Sequence, residues 1–113
     1  MNLRAVYRVS VVVPVEQMQA VLDGVRATLP LRGGNYADWA FISASGEEQF
    51  RPLADARPAQ GVIGELERVA SQRIEFCIER DAALLSALVE AIRAHHPWQV
   101  PAIFVDESHA PQL

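Results

Sequence analysis

The sequence predicts a small α+β domain built on one antiparallel sheet. Its apolar residues alternate with a period of two, change to the helical period of 3.6, and then repeat both patterns. Its 113 residues suit one domain with one core, and the shares of hydrophobic (50%) and charged (21%) residues are ordinary for a globular protein. The resulting order is β-α-β-loop-β-α-β. Packing two helices on one face of a four-stranded antiparallel sheet gives the ferredoxin-like βαββαβ fold.

Residues 3–29 predict the first strand and the first helix. From Leu3 to Val13 every second residue is apolar, and the β-branched valines favour extended backbone. From Val15 to Leu29 the apolar residues recur at helical spacing, and Pro14 suits the first position of a helix. The apolar stripe consists of Met18, Leu22, Val25 and Leu29. Pro30 ends the helix.

The next segment predicts a turn, a second strand and a long loop. Arg32-Gly33-Gly34-Asn35 is typical of a turn, and residues 36–43 alternate weakly and include aromatic and β-branched side chains. Residues 45–64 contain three glycines and two prolines and show little regular pattern. An irregular segment of this length in a small domain usually carries function or forms an interface.

The second half repeats the strand and helix. Glu67 to Ile78 alternates, with Ile74, Phe76 and Ile78 on one face. Asp81 is a suitable N-cap for a helix that continues to His96. Its apolar stripe consists of Leu85, Leu88, Val89 and Ile92, and Pro97 stops it.

The chain is expected to end in a short strand over residues 100–105 and a polar tail. We therefore predict one ferredoxin-like domain over residues 1–106 and a tail over residues 107–113. The predicted core consists of Val9, Val11, Leu22, Val25, Ile74, Phe76, Leu88 and Ile92.

Charge and cysteine content limit the class of partner and compartment. The net charge is −4 and no basic block is present, so nucleic acid is not an expected partner. The apolar run over residues 9–15 is too short for a membrane span and lacks a signal-peptide cleavage pattern. Cys77 is the only cysteine, which favours a reducing compartment and predicts a cytoplasmic protein without membrane contact.

No group of residues matches a catalytic site. His95 and His96 are adjacent on a helix, so they cannot chelate a metal as an i, i+4 pair, and they suit the negative end of the helix dipole. Cys77 has no neighbouring base, and Ser43 and Ser45 match no nucleophile motif. We predict that the chain is not an enzyme and has no cofactor and no metal site of its own.

The candidate ligand-binding residues are Asn35, Tyr36, Gln49, Phe50 and Arg51. The long loop carries an aromatic ring beside a cation, and a guanidinium can bind a carboxylate or phosphate with two parallel hydrogen bonds. A bend in the intervening strand would bring the two segments together. The ligand is then expected to be a small anion or a carboxylate on a protein partner.

A structural interpretation of the same segment stays open. Phe50 would anchor the loop to the core, and Arg51 would pair with Glu47 or Asp55. The two segments would then only close an oligomer.

Several segments, taken in order, resemble a known domain. They are Gly34-Asn35-Tyr36, Gln49-Phe50-Arg51-Pro52, Ala56-x-Pro58-x-x-Gly61-x-x-Gly64, Glu67, Arg73-Ile74-Glu75 and His96-Pro97-Trp98-x-x-Pro101-Ala102. Their order and spacing resemble the small domain inserted in YqfO-type members of the dinuclear-metal-centre family, also called the NGG-interacting factor family. The resemblance extends from Leu3 to about Val105.

The resemblance implies a fold similar to that of CutA and the PII signalling proteins, whose ferredoxin-like subunits assemble as trimers. It does not imply metal-dependent hydrolysis, because the two-metal site of that family lies in a larger flanking domain. The sequence departs from the family pattern at Trp39, where a cysteine is common, and at Asp55, where a glycine is usual. Trp98-Gln99 replaces the Tyr-Glu pair that follows His-Pro in the family.

The favoured function is a non-enzymatic, oligomeric binding or regulatory module, with a trimer expected. The second face of the first strand carries Val6 and Val12 beside Arg8, a mixture that suits a subunit interface. One alternative is a divalent-metal-binding or tolerance protein of CutA type. Its ligands would come together across subunits, from among Cys77, His96, Glu107 and His109. The other alternative is a purely structural trimeric assembly protein.

Overall fold

The computed structural model describes residues 1–112. It contains a main antiparallel sheet, a small two-stranded sheet and two α-helices. The strands are β1 (Leu3–Pro14), β2 (Arg32–Gly33), β3 (Tyr36–Ala37), β4 (Phe41–Ile42), β5 (Gly46–Phe50), β6 (Glu67–Glu79) and β7 (Ile103–Pro111), and the helices are α1 (Met18–Thr28) and α2 (Ala82–His95). Within the described residues, no helix combines the length and apolar character that crossing a bilayer requires.

Strand β1 lies at the centre of the main sheet. It pairs antiparallel with β6 along residues 6–14 and with β7 along residues 3–11. Val9, Val11 and Val13 point to the same side and are fully buried, as the alternation of this strand predicted. A short 3₁₀ turn over Val15–Gln17 then leads from β1 into α1.

The row beyond β6 is an edge strand interrupted by a bulge. Both β4 and β5 pair antiparallel with β6, but Ile42 lies opposite Ile74 whereas Gly46 lies opposite Ser71, so the edge carries one extra residue between them. The main sheet thus has five strands in four rows, in the order β4 and β5, then β6, β1 and β7. This is the ferredoxin-like arrangement, and the predicted fold class is confirmed.

The predicted second strand over residues 36–43 was wrong in its first half. Tyr36–Ala37 pairs with β2 in the small sheet, and the main sheet resumes only at Phe41. Asp38 has a φ of 62°, which breaks the extended backbone between the two strands. Its N–H donates a hydrogen bond to the carbonyl of Leu31 at 2.8 Å.

The predicted irregular loop over residues 45–64 contains a strand. Residues 46–50 form β5 and pair with residues 67–71 of β6. Glycine and glutamate favour strands only weakly, so the sequence of β5 did not indicate its structure. The pairing instead follows from the long partner strand, which runs for 13 residues.

The polar tail predicted over residues 107–113 is also corrected. Strand β7 begins at Ile103 rather than at residue 100 and continues to Pro111, so the predicted domain boundary falls inside a strand. Leu113 lies outside the described residues. An edge strand with a solvent-facing side tolerates polar residues, which explains why the sequence of this segment resembled a tail.

The core lies between the sheet and the two helices. All eight residues predicted to be in the core are buried: Val9, Val11, Leu22, Val25, Ile74, Phe76, Leu88 and Ile92. Asp81 caps α2, because its carboxylate accepts a hydrogen bond from the N–H of Leu84 at 3.0 Å. A Cβ atom on Gly24 of α1 would overlap the ring of His95, so glycine is what allows the helices to pack this closely.

Replacement of Leu88 by alanine tests the assignment of the buried helix face. Leu88 is fully buried, so Leu88→Ala is expected to reduce the free energy of unfolding by about 2–5 kcal/mol, measured by denaturant titration. The matched control is Leu53→Ala, because Leu53 is 70% exposed and its truncation is expected to change stability by less than about 0.5 kcal/mol. A loss below about 1 kcal/mol for Leu88→Ala would contradict the helix placement.

Candidate functional site

The predicted binding segment lies at the end of the hairpin formed by β5 and β6. Residues 51–66 join the two strands. The N–H of Gly64 donates to the carbonyl of Pro52 at 2.7 Å. Gly61 and Gly64 both have a positive φ, a conformation that glycine adopts without strain. The loop is therefore organised by its own backbone, and Pro52 is buried beneath it.

Gln49, Phe50 and Arg51 have three different environments. The Oε1 of Gln49 accepts a hydrogen bond from the Nε of Arg68 at 3.0 Å. Phe50 is half-buried and packs edge-on against Trp98, with the ring centroids 5.1 Å apart. Arg51 is exposed, and no ion pair within residues 1–112 includes it. The structure thus forms the anchoring contact of Phe50 but not the ion pair that the structural interpretation expected for Arg51.

Asn35 and Tyr36 lie in the small sheet, which precedes the edge row in the chain. Gly34 and Asn35 form the turn between β2 and β3, and Gly34 rather than Asn35 has the positive φ, 59°. Tyr36 is 82% exposed. Strands β4 and β5 separate this turn from Phe50 and follow β6 for about 26 Å, at about 3.3 Å per residue. The bend expected between the two segments is therefore replaced by a bulge, and one chain does not bring them together.

His96 connects the end of α2 to the central strand. The N–H of Trp98 donates to Nδ1 of His96 at 3.1 Å, so the ring proton is assigned to Nε2, which donates to the carbonyl of Val12 at 2.8 Å. Burial lowers the pKa of His96, and the hydrogen bond to Val12 offsets part of this effect. The His96 ring also packs edge-on against Trp98 at 5.7 Å. The aromatic row of His96, Trp98 and Phe50 thus joins the helix to the hairpin.

One carboxylate beside the hairpin has an unsatisfied oxygen. The Oε1 of Glu48 is shielded from solvent and accepts no hydrogen bond from residues 1–112. Burial raises the pKa of Glu48. Glu48 lines a shallow cavity of about 300 Å³ together with Ser43, Ser71 and Arg73. Nothing in the local sequence distinguishes Glu48 from the neighbouring Glu47, because only the strand register buries it.

The residues considered for a metal site lie apart within one chain. Glu107 and His109 are two residues apart on β7, and Glu107 lies 3.7 Å from the Nη1 of Arg80. Cys77 is half-buried in the middle of the sheet, opposite residue 8. Both ring nitrogens of His96 are engaged in hydrogen bonds. Among the described residues, no three His, Cys, Asp or Glu side chains form a group that could hold a metal ion.

The outer face, defined as the side of the main sheet away from the buried valines of β1, carries exposed aromatic rings at both edges. Phe41, Glu75, Ser10 and Phe104 are aligned in one row across the four strands. Phe41 is 53% exposed and Phe104 is 59% exposed. Between them, the Nη2 of Arg8 forms an ion pair with the Oε1 of Glu75 at 2.7 Å. Aromatic side chains are enriched at protein interfaces, so the two exposed rings make this face a candidate contact surface.

Comparisons of the sequence identify relatives that are much longer than this chain. No protein-family model matches. A Staphylococcus aureus protein named GTP cyclohydrolase 1 type 2 homolog is 30% identical over 95 residues, and a Staphylococcus epidermidis protein of the same name is 28% identical over 95 residues. Each alignment covers 84% of this chain but 25% of the relative. The chain therefore spans about a quarter of the length of the curated relatives it matches.

Comparisons of the structure give the same picture. A Bacillus cereus protein related to NIF3 superposes with a TM-score of 0.75 at 28% identity, over 96% of this chain and 27% of that one. CutA1 from Oryza sativa superposes with a TM-score of 0.66 at 17% identity, over 96% of this chain and 84% of that one. The GlnK–ATP complex of Bacillus subtilis superposes with a TM-score of 0.57 at 11% identity, over 92% and 82% of the two chains. The last two likenesses show a common fold.

The environment of His96 predicts a loss of stability in mild acid. The unfolded protein binds a proton at this residue near a pH of about 6.5, whereas burial lowers the pKa in the folded state. The unfolded state therefore binds more protons between these two values, and the free energy of unfolding falls as the pH is lowered from about 7 to about 5. Denaturant titrations over this pH range measure the slope of the free energy of unfolding against pH.

Two variants assign this slope to His96. His96→Gln keeps a neutral donor near the Val12 carbonyl and is expected to flatten the dependence of the free energy of unfolding on pH. His109→Gln, in which an exposed histidine is replaced, is expected to keep the pH dependence of the wild type. Glu48 acts in the opposite sense, because burial raises its pKa, but it is present in all three proteins. Equal slopes in wild type and His96→Gln would show that the buried ring is not responsible.

Proposed function

Because the chain is related to one segment of NIF3-related proteins and shares the fold of CutA and PII, we propose that it is a non-enzymatic, oligomeric binding module. The observation that carries the proposal is the outer face, where Phe41 and Phe104 stay exposed at the two edges of one row although the core beneath the helices is complete. Exposed aromatic residues around a central ion pair suit contact with a second copy of the same chain.

The hairpin loop supplies further apolar surface for assembly. Leu53 is 70% exposed, and Val62, Ile63 and Leu66 are each about half exposed. These four side chains lie in the single loop between β5 and β6. The resemblance to CutA and PII favours an assembly of three subunits, which we propose to be cytoplasmic.

The proposed ligand surface has two parts. Gln49, Phe50 and Arg51 lie at the hairpin end of the edge row, and Asn35 and Tyr36 lie in the small sheet, which precedes this row in the chain. Within residues 1–112 no acidic group forms an ion pair with Arg51, which supplies the positive charge, so the ligand is a small anion or a carboxylate of a partner protein. The two parts could share one small ligand only if assembly brings the turn of one subunit to the hairpin of another. ATP is a reasonable first probe because GlnK, of the same fold, was solved with it.

The proposal assigns no reaction to this chain. The name GTP cyclohydrolase 1 type 2 homolog belongs to proteins of which this chain matches 25%. The rings of His95 and His96 form hydrogen bonds with backbone carbonyl groups, and Glu107 lies near Arg80. Cys77 and the other carboxylates discussed above lie apart from these residues. A catalytic site needs a base within hydrogen-bond reach of the group that it activates.

Native mass spectrometry on wild type, Arg51→Ala and the control Arg57→Ala tests the proposal. The wild type is expected at three times the 12.5 kDa subunit mass at micromolar concentration and is expected to retain ATP or inorganic phosphate. Arg57 is an exposed cation of the same loop, and its replacement is expected to change neither property. Arg51→Ala is expected to keep the assembly and to lose the anion.

Three results would contradict parts of this account. A single species at the mass of one subunit would reject assembly. Loss of assembly in Arg51→Ala would make Arg51 an interface residue rather than a ligand-binding one. An Arg51→Ala protein that keeps both its assembly and every bound anion would exclude Arg51 from the site.

A further inference from the structure

A groove separates the start of the first helix from the hairpin. One wall is the turn over residues 14–17, and the other is the stretch of β6 over residues 68–70. Ser45 and Gln60 complete the lining, and the groove has a volume of about 640 Å³. Pockets that bind small molecules in proteins commonly have about 300–1,000 Å³. The groove is therefore large enough for a ligand of several non-hydrogen atoms.

Arg68 supplies a positively charged group to one wall of this groove. Its Nε donates to the Oε1 of Gln49 at 3.0 Å, which fixes one edge of the planar guanidinium. Neither terminal nitrogen of Arg68 takes part in an ion pair or side-chain hydrogen bond within residues 1–112. A guanidinium held at Nε keeps its two terminal nitrogens free to bind a carboxylate through parallel hydrogen bonds.

Glu16 supplies a negatively charged group to the other wall. It belongs to the turn that precedes α1, and no ion pair joins it to Arg68 although both residues line the groove. Glu16 and Arg68 thus border the same groove without forming an ion pair with each other. Pro14, Val15, Gln17 and Val69 also line the groove. A simple anion would be attracted by one wall and repelled by the other.

We propose that this groove binds a small zwitterion, such as a free α-amino acid or a dipeptide. Arg68 binds its carboxylate, Glu16 binds its ammonium group, and Gln49 positions Arg68. The charged residues of this site, Arg68 and Glu16, differ from Arg51 of the proposed anion surface, and Gln49 contributes to both.

Binding of three probes, followed by NMR of the ¹⁵N-labelled full chain, tests this proposal. Glycylglycine carries both charges, acetate carries only the negative charge, and methylammonium carries only the positive charge. Shifts are expected at Gln17, Val69 and Ala70, which line the groove. Glycylglycine is expected to bind at least about tenfold more tightly than acetate or methylammonium, because it gains contacts on both walls.

Matched charge-removing variants identify the residues that recognise the probe. Arg68→Gln is expected to weaken glycylglycine by about tenfold and to abolish the shifts that acetate causes at the groove residues. Glu16→Gln is expected to weaken glycylglycine to a similar extent but to strengthen acetate, because it removes the repelling carboxylate. Arg57→Gln serves as the control, because Arg57 is exposed and does not line the groove, and it is expected to leave all three affinities unchanged. The spectrum of each variant shows whether the fold is intact.

Several results would overturn the proposal. Equal affinities for glycylglycine and acetate would exclude a zwitterion site. Shifts located away from the groove, or an unchanged affinity in Arg68→Gln, would exclude Arg68 as the carboxylate-binding group. Absence of binding by all three probes at millimolar concentration would exclude the groove as a site. Native mass recorded on the same samples separates these outcomes from a failure of the proposed assembly.

Discussion

The fold depends on the pairing of β1 with a neighbour on each side. Its backbone hydrogen bonds to β6 and β7 are fixed in register by three valines that must all face the helices. A shift of one residue would turn Val9, Val11 and Val13 away from the core and expose them. Because burying one such side chain contributes about 1.5–3 kcal/mol, this register is strongly favoured over its neighbours.

The register of β1 also determines the positions of the hairpin surface and of the groove. The carbonyl of Val12 accepts the hydrogen bond of His96, and this bond holds the segment after α2 against the end of the strand. Trp98 then contacts Phe50 and supports the hairpin. The turn after β1 forms one wall of the groove and β6 forms the other. The groove and the hairpin surface therefore both sit beyond the last residues of the central strand.

The sequence predicted the parts of the fold in which burial and periodicity agree. Strands β1 and β6, both helices, the Asp81 cap and all eight named core residues follow from apolar spacing and from one capping residue. The edge strands were harder to predict because their partners determine them. Strand β5 contains glycine and glutamate, and β7 contains the polar run over residues 106–109, so neither has the composition of a buried strand.

The candidate site was predictable only in part, because the positions of its residues depend on how the edge strands pair with their partners. The sequence indicated that Arg51 could be available for an anion, and the structure leaves it exposed. It could not indicate that Gln49 lies opposite Arg68, or that Glu48 is shielded, because both facts depend on the register of β5. The distance between the Asn35 turn and the hairpin likewise depends on a bulge between β4 and β5.

Amide hydrogen exchange, followed residue by residue by NMR, tests the central role of β1 most directly. Backbone groups hydrogen-bonded inside the sheet exchange only when the structure opens, whereas exposed turns exchange freely. The account predicts that the slowest amides lie in residues 6–13 of β1 and in the paired part of β6, and that amides of β2 and β3 exchange much faster. Amides of β1 that exchange as fast as those of β2 and β3 would contradict it.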